Sequence, residues 1–273
     1  MRVKRALPVL ATLAFLTAWT GVSRAADTTA INMENVAGAD YKLKTVVLDA
    51  GHGGHDPGTN WAGVYEKHIA LSITLKVGKL IKEHLPEVKV IYTRDDDTFV
   101  ELFERANIAN RNHADLFISI HCNANNSTRP YGSETYTLGL HRTEDNFEVA
   151  KRENQVIYLE ENYKENYHGF DPNSPESYII FSLYQSQNLS RSISFAARVQ
   201  QEFKSAGRHN RGVKQAGFLV IRETSMPSVL VETGFVSNAN ERQFLNSYEG
   251  QMKMARSIFN AFKAYKISVE SEE

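Results

Sequence analysis

The chain has 273 residues, of which 42% are hydrophobic and 23% charged, an ordinary composition for a globular protein able to bury a sizeable core. Its formal net charge of −1 excludes a nucleic-acid binder that works through a broad basic surface, because neutralising phosphates needs clustered Lys and Arg. The single cysteine, Cys122, excludes an intrachain disulfide and leaves stability to the core.

Residues 1–25 begin with Arg2, Lys4 and Arg5, continue as an apolar run, and end in small residues at Ser23 and Ala25. This pattern predicts a signal peptide cleaved after Ala25, since the run is shorter than the roughly 18 to 20 residues that a membrane span needs. No later stretch is apolar enough to span, so the expected product is exported and soluble; it is also expected to be a monomer. Residues 26–44 are polar and patternless and read as a mature N-terminal tail.

Strands and helices then alternate. TVVLDA (45–50) is a Val-rich run typical of a strand buried on both faces. Residues 66–85 place Ile69, Ile73, Val77, Leu80 and Ile81 on one helical stripe. A strand follows at 89–94, a helix at 100–112 with Leu102, Ala106 and Ala109 or Ile108 inward, and strands at 115–121 and 132–138. Residues 187–207 read as a helix with Ile193, Ala197 and Phe203 in register; GFLVIR (217–222) and PSVLVETGF (227–235) read as strands, and helices at 238–246 and 248–265 close the chain. Strands separated by helix-length segments predict an α/β sandwich with a mostly parallel sheet flanked by helices, in one large domain or two small ones. Residues 139–185 interrupt the pattern as an insert too long for an ordinary connection, read as a solvated excursion or as a lid or regulatory element.

The chemistry-bearing residues cluster where strands end. VVLDAGHGGHDPG (46–58) lacks the glycine spacing of a dinucleotide loop and the Lys of a phosphate loop, and Pro57 removes a backbone donor. Its glycines instead leave room for His52 to turn inward. DLFISIH ends in His121 at the same predicted sheet edge, and Glu66 opens the helix that follows the first strand. Two histidines and one carboxylate form the ligand set of a catalytic zinc with a position left for water. Glu232 interrupts the apolar strand SVLVETGF, where a buried charge is costly without a purpose, and is the expected proton shuttle, alone or paired to Arg222. Arg222 would orient a carboxylate or stabilise a developing oxyanion, and Asn123 would contact substrate or bond its own loop. Cys122 should pack behind the site because neighbouring strand residues face opposite ways. Asp49 or Asp56 could accept the second ring proton of a ligand histidine, Asp56 being better suited to capping a turn.

VVLDAGHGGHDPG, YEKHIAL, VIYTRDDDTFVELFERANIANRNHADLFISIHCNA and FLVIRETSMPSVLVETGFVSN, in this order, resemble the zinc-dependent N-acetylmuramoyl-L-alanine amidase family of bacterial cell-wall hydrolases. The resemblance runs from about Val46 to the C-terminus, outside the insert. It implies a single α/β catalytic domain over 45–268 with a twisted sheet of about six strands, zinc held by His52, Glu66 and His121, and Glu232 as the catalytic glutamate. It implies hydrolysis of the amide between N-acetylmuramic acid and L-alanine in peptidoglycan, in the periplasm. The insert falls where some members carry a helix that blocks the zinc site until a partner removes it, so Glu153, Glu160 or Glu161 is expected to occupy the open metal position. Deleting 140–184 should then raise dye release from labelled peptidoglycan. A zinc peptidase or deacetylase on another wall component, and a non-catalytic wall-binding protein, are the competing readings.

Overall fold

A computed structural model describes residues 41–182 and 188–271; the expected signal peptide and nearly all of the tail lie outside them. In chain order the strands and helices are β1 (Thr45–Ala50), β2 (Asn60–Trp61), β3 (Val64–Tyr65), α1 (Glu66–His84), β4 (Lys89–Tyr92), α2 (Leu102–Arg111), β5 (Leu116–Asn123) and β6 (Ser133–Leu138). After these come α3 (Glu144–Asn154), α4 (Tyr163–Asn166), α5 (Leu189–Ser205), β7 (Asn210–Ala216), β8 (Ser228–Phe235), α6 (Ala239–Leu245) and α7 (Tyr248–Glu270). Six strands form one sheet in the order β4-β1-β5-β8-β6-β7, every pairing parallel except that of β6 with β8. The mostly parallel α/β sheet expected from the alternation is therefore the one the chain builds.

Strand period two divides the core into two layers. Val46, Leu48, Ile118, Ile120, Val229 and Val231 face α1, α5 and α7, where Ile73, Val77, Phe195 and Ile258 are fully buried. Val47, Phe117 and Leu230 face the other way, toward α2 and the insert. The insert contributes Phe147, Ala150, Ile157 and Tyr178 to this second layer, so it is part of the core and not a solvated excursion. The stripe of Phe147, Ala150, Asn154 and Ile157 is its buried face, continued past α3 by a 3-10 turn over Gln155–Leu159.

Two expectations need correction. GFLVIR is not a strand: Leu219–Ile221 form a 3-10 turn, and the Asn154 side chain accepts the Leu219 N–H at 2.9 Å. The edge strand is instead the polar NRGVKQA of β7, whose Arg211 and Lys214 reach Glu134 on β6. Edge strands need little apolar character, and so the run that looked most strand-like lost to its neighbour. On α5, Ile193 and Ala197 are exposed, while Ser192, Phe195, Ala196, Val199, Gln200 and Phe203 face inward. Ser192 and Gln200 can be buried there because Ser192 accepts the Ser228 N–H and Gln200 bonds Thr135.

Candidate metal centre

The parallel strands end at one edge of the sheet, where open α/β folds place their sites. The loop after β1 carries His52 in the left-handed region at φ 61°, a conformation that costs a non-glycine residue of order 1–3 kcal/mol. It is held on both sides of the backbone: the His52 carbonyl accepts from Arg105 at 2.9 Å, and the ring Nδ1 meets Asp56 Oδ2 at 2.7 Å. Asp56 also accepts the Gly58 N–H through its other oxygen, so it caps the turn and orients the imidazole together. Asp49 does neither; it accepts from Arg105, Thr93 and Ser119 beneath the loop.

The glycines supply space at two positions in particular. A Cβ on Gly51 would lie 2.3 Å from the His121 ring, and one on Gly58 would lie 2.6 Å from the His52 ring and 2.9 Å from Glu66 Oε2. His121, near the end of β5, therefore packs its ring close against the Gly51 backbone. Glu66, the first residue of α1, is fully buried; its Oε1 accepts from the Cys122 N–H and its Oε2 from the Thr59 N–H. Cys122 itself points into the core layer, its thiol pushed well up by burial and by the charge of Glu66.

His52, Glu66, His121 and Glu153 present ligand atoms that all lie within 4.8 Å of one another, and all four side chains are buried. His52 Nε2 is 3.2 Å from both Glu66 Oε1 and Glu153 Oε2, and His121 Nδ1 is 3.2 and 3.1 Å from the same two oxygens. Yet His52 Nε2 and Glu153 Oε2 make no hydrogen bond, and neither oxygen of Glu232 makes one. Buried polar atoms that converge without partners are the donor arrangement a cation would satisfy. Two imidazoles with two carboxylates suit a divalent transition metal, and Asp56 behind His52 is the partner such ligands commonly take. The residues present can therefore hold a metal ion.

Charge is balanced within the cluster. Burial alone would lower the histidines, but the charge of Glu66, the bond to Asp56 and the nearby Glu153 carboxylate hold His52 well above its usual range, and the charge of Glu153 with its oxygen 3.1 Å away brings His121 to about 9. Burial would raise Glu153, but Arg152 and His121 bring it well below the carboxylate range. Glu232 behaves oppositely: burial, then the charges of Glu153 and Glu66, push it well up. Glu232 is the β8 register partner of His121, which places it beside the cluster on the adjacent strand.

Of the three acidic insert residues singled out by sequence, the structure brings only Glu153 to the cluster. Glu160 accepts from the Leu102 N–H and the Tyr167 hydroxyl, and Glu161 is exposed. Glu153 could have been chosen from the pattern: it stands three residues after Ala150 and four before Ile157, on the buried stripe of α3. Sequence reasoning missed Arg152. Its guanidinium bonds the Ala124 carbonyl at 3.0 Å and Asn123 Oδ1 at 3.1 Å, and lies 3.9 Å from Glu232 Oε1. Thus the cation beside Glu232 is Arg152, whereas Arg222 donates to Glu223 and sits over the Tyr167 ring. Asn123 is fully buried, its amide donating to Glu134, so in this state it ties β5 to β6 and to Arg152.

The family model described as N-acetylmuramoyl-L-alanine amidase matches residues 46–264. The amidase AmiA of Escherichia coli K12 is 30% identical over 226 residues, 81% of this chain and 76% of that protein. Among solved structures, an N-acetylmuramoyl-L-alanine amidase from Clostridium difficile 630 superposes with a TM-score of 0.62 at 27% identity, covering 85% of this chain and all of that one. The CwlD amidase of Clostridioides difficile, in complex with the GerS lipoprotein, gives 0.60 at 27% identity over 83% of this chain and 99% of its own. The match thus spans most of the chain, and the chain belongs to the N-acetylmuramoyl-L-alanine amidase family.

Proposed function

We propose that the chain is a zinc-dependent hydrolase of the amide between N-acetylmuramic acid and L-alanine in peptidoglycan, held closed by its own insert. The observation that carries this reading is the buried convergence of His52, Glu66, His121 and Glu153, with Glu232 beside it and neither of its oxygens hydrogen-bonded. His52, Glu66 and His121 would hold the ion from the catalytic domain proper, and Glu153 of α3 would be a further ligand. When bound, zinc supplies Lewis acidity at the scissile carbonyl and makes water acidic enough to attack near neutral pH. Glu232 takes the proton of the attacking water and passes it to the leaving nitrogen. The C–N bond breaks, leaving the lactyl carboxylate on the glycan and a free amine on L-alanine.

Glu153 and Arg152 act together in the closed state: one carboxylate takes the place of substrate or water, and the neighbouring guanidinium covers Glu232 and the Ala124 carbonyl. An activator that draws α3 away would expose both. The CwlD–GerS complex supports the idea that amidases of this fold take protein partners. No helix among the described residues is long and apolar enough to cross a membrane.

The deciding experiment digests purified peptidoglycan and analyses the muropeptides by mass. Free peptides that begin with L-Ala, together with peptide-free glycan, are expected; cleavage within the peptide or loss of acetyl groups would replace this reading with a peptidase or deacetylase. Glu232→Gln should abolish hydrolysis while retaining the metal. Glu153→Ala should raise dye release without added activator, and is a cleaner probe than deleting 140–184, which would remove Phe147, Ile157 and Tyr178 from the second core layer.

A further inference from the structure

Three cavities run in sequence away from the metal cluster. The one containing His52 and Glu153, about 290 Å³, shares Thr59, Arg152 and Gln155 with a second of about 550 Å³, and the second shares only Trp61 with a third of about 330 Å³. The two outer cavities have the size of small-ligand pockets. Trp61 stands at their junction, half-buried, on the hairpin of β2 and β3. Ala62 at φ 52° and Gly63 at φ 78° close that hairpin with two left-handed residues, the tight turn that matches strand twist. The hairpin runs directly into Glu66, so the indole and a metal ligand ride on one short segment.

The walls that the catalytic domain itself gives to these outer cavities are almost uncharged. In the second they are Thr59, Asn60, Trp61, Ala124, Asn125 and Asn126; the charges there, Asp145, Glu148, Lys151 and Arg152, all belong to α3. In the third, the only charge is Arg242, and it is occupied with the Val236 carbonyl at 2.8 Å. Asn238 caps α6 and donates to the Thr128 carbonyl, which stiffens that wall, whereas the Asn60, Asn126 and Asn240 side chains are exposed. An acidic stem peptide would call for cations here. A neutral sugar calls for a flat aromatic face against its C–H surface and for amides that both donate and accept toward hydroxyl and acetamido groups.

We infer that Trp61 and the asparagines around it form a saccharide subsite that binds the N-acetylated glycan strand and presents its lactyl amide to the metal cluster. This rests on the proposed amidase reading for the identity of the sugar. In the closed state α3 roofs the inner part of the groove, so removing the insert would open the glycan path and the metal position together.

The sequence holds two tryptophans, Trp19 in the expected signal peptide and Trp61, so the full chain with Trp19→Phe reports on Trp61 alone. Its fluorescence, in the Glu153 parent and in Glu153→Ala, is titrated with the tetramer of N-acetylglucosamine, with peptide-free glycan strands, and with an acidic tripeptide beginning with L-Ala. A saturable shift with both sugars and none with the peptide is expected. Silence toward sugars in both backgrounds, or a response to the peptide alone, overturns the subsite. Trp61→Ala should raise KM on glycan-linked substrate about tenfold, with little change in kcat, metal content or melting temperature, and Trp61→Tyr should recover part of it. A fall in kcat and metal content without a KM change would make Trp61 a structural support for Glu66 and overturn the proposal. Amide hydrolysis with a silent Trp61 removes the subsite alone; a sugar response without amide hydrolysis removes the amidase reading alone.

Discussion

His52 accepts a strained backbone because its ring is worth holding in one orientation, and Asp56 is what holds it. The 2.7 Å contact at Nδ1 leaves Nε2 as the nitrogen that faces Glu66 and Glu153. Asp56→Ala should therefore lower zinc affinity about 10- to 100-fold while leaving the ligand set intact, measured by competition with a chelating dye. Unchanged affinity would mean that Arg105 and the loop backbone suffice to aim the ring. His52, Glu66, His121 and Glu232 could be picked out from sequence because each polar residue lies in, at or just past the end of an apolar strand or at the start of a helix, and the fold stacks such ends at one edge. Asp56 was only half legible, since capping a turn and orienting a ring use different oxygens of one carboxylate. Arg152 was illegible: it comes from a different part of the chain, and no local pattern says which carbonyl or carboxylate a long cation will reach.

At the scale of elements, the α3 end is pinned to the segment after β7 by one side chain. Asn154 accepts the Leu219 N–H, donates to the Gly217 carbonyl at 2.7 Å, and lies next to Glu153. Asn154→Ala would leave a buried donor and a buried acceptor without partners, at a cost of about 1–3 kcal/mol. Because that cost falls on the joint between α3 and the sheet, basal hydrolysis should rise while the melting temperature falls. A stability loss with no gain in activity would show that Glu153 stays seated without this joint. The same side chain explains why GFLVIR was misread: an apolar run of six residues fits a strand or a buried turn equally, and a distant asparagine decided between them. The β1, β5 and β8 strands were legible because they are buried on both faces and their apolar runs have no such competitor. Likewise the phase of α5 was hidden by Ser192 and Gln200, polar residues whose partners lie on β8 and β6.

Across the whole molecule, the loop that carries His52 rests on a charged pair in the middle of the structure. Asp49, at the end of β1, and Arg105, on α2, are both essentially inaccessible and meet at 2.8 Å, and Arg105 also bonds the Ala50 and His52 carbonyls. Burial alone would raise Asp49, but the Arg105 charge and the Ser119 and Thr93 hydroxyls outweigh it and bring the carboxyl below its ordinary value of 3.8. A carboxyl lowered by folding contributes stability that is fully present above its unfolded pKa and is lost as pH falls through the folded one. Asp49→Asn leaves Arg105 buried without its counter-charge, so it should cost about 3–5 kcal/mol at neutral pH. The wild type should then lose this advantage below about pH 4, at up to about 1.4 kcal/mol per pH unit, as Asp49 takes a proton. Urea unfolding of both proteins from pH 7 to pH 2.5 measures the difference, in which the other acid-sensitive carboxylates cancel. A gap that narrows only below pH 4 places the stabilising charge on Asp49. A gap that stays constant to the lowest pH would assign the loss to altered packing in Asp49→Asn, leaving the loop supported by Arg105 through its carbonyl bonds alone.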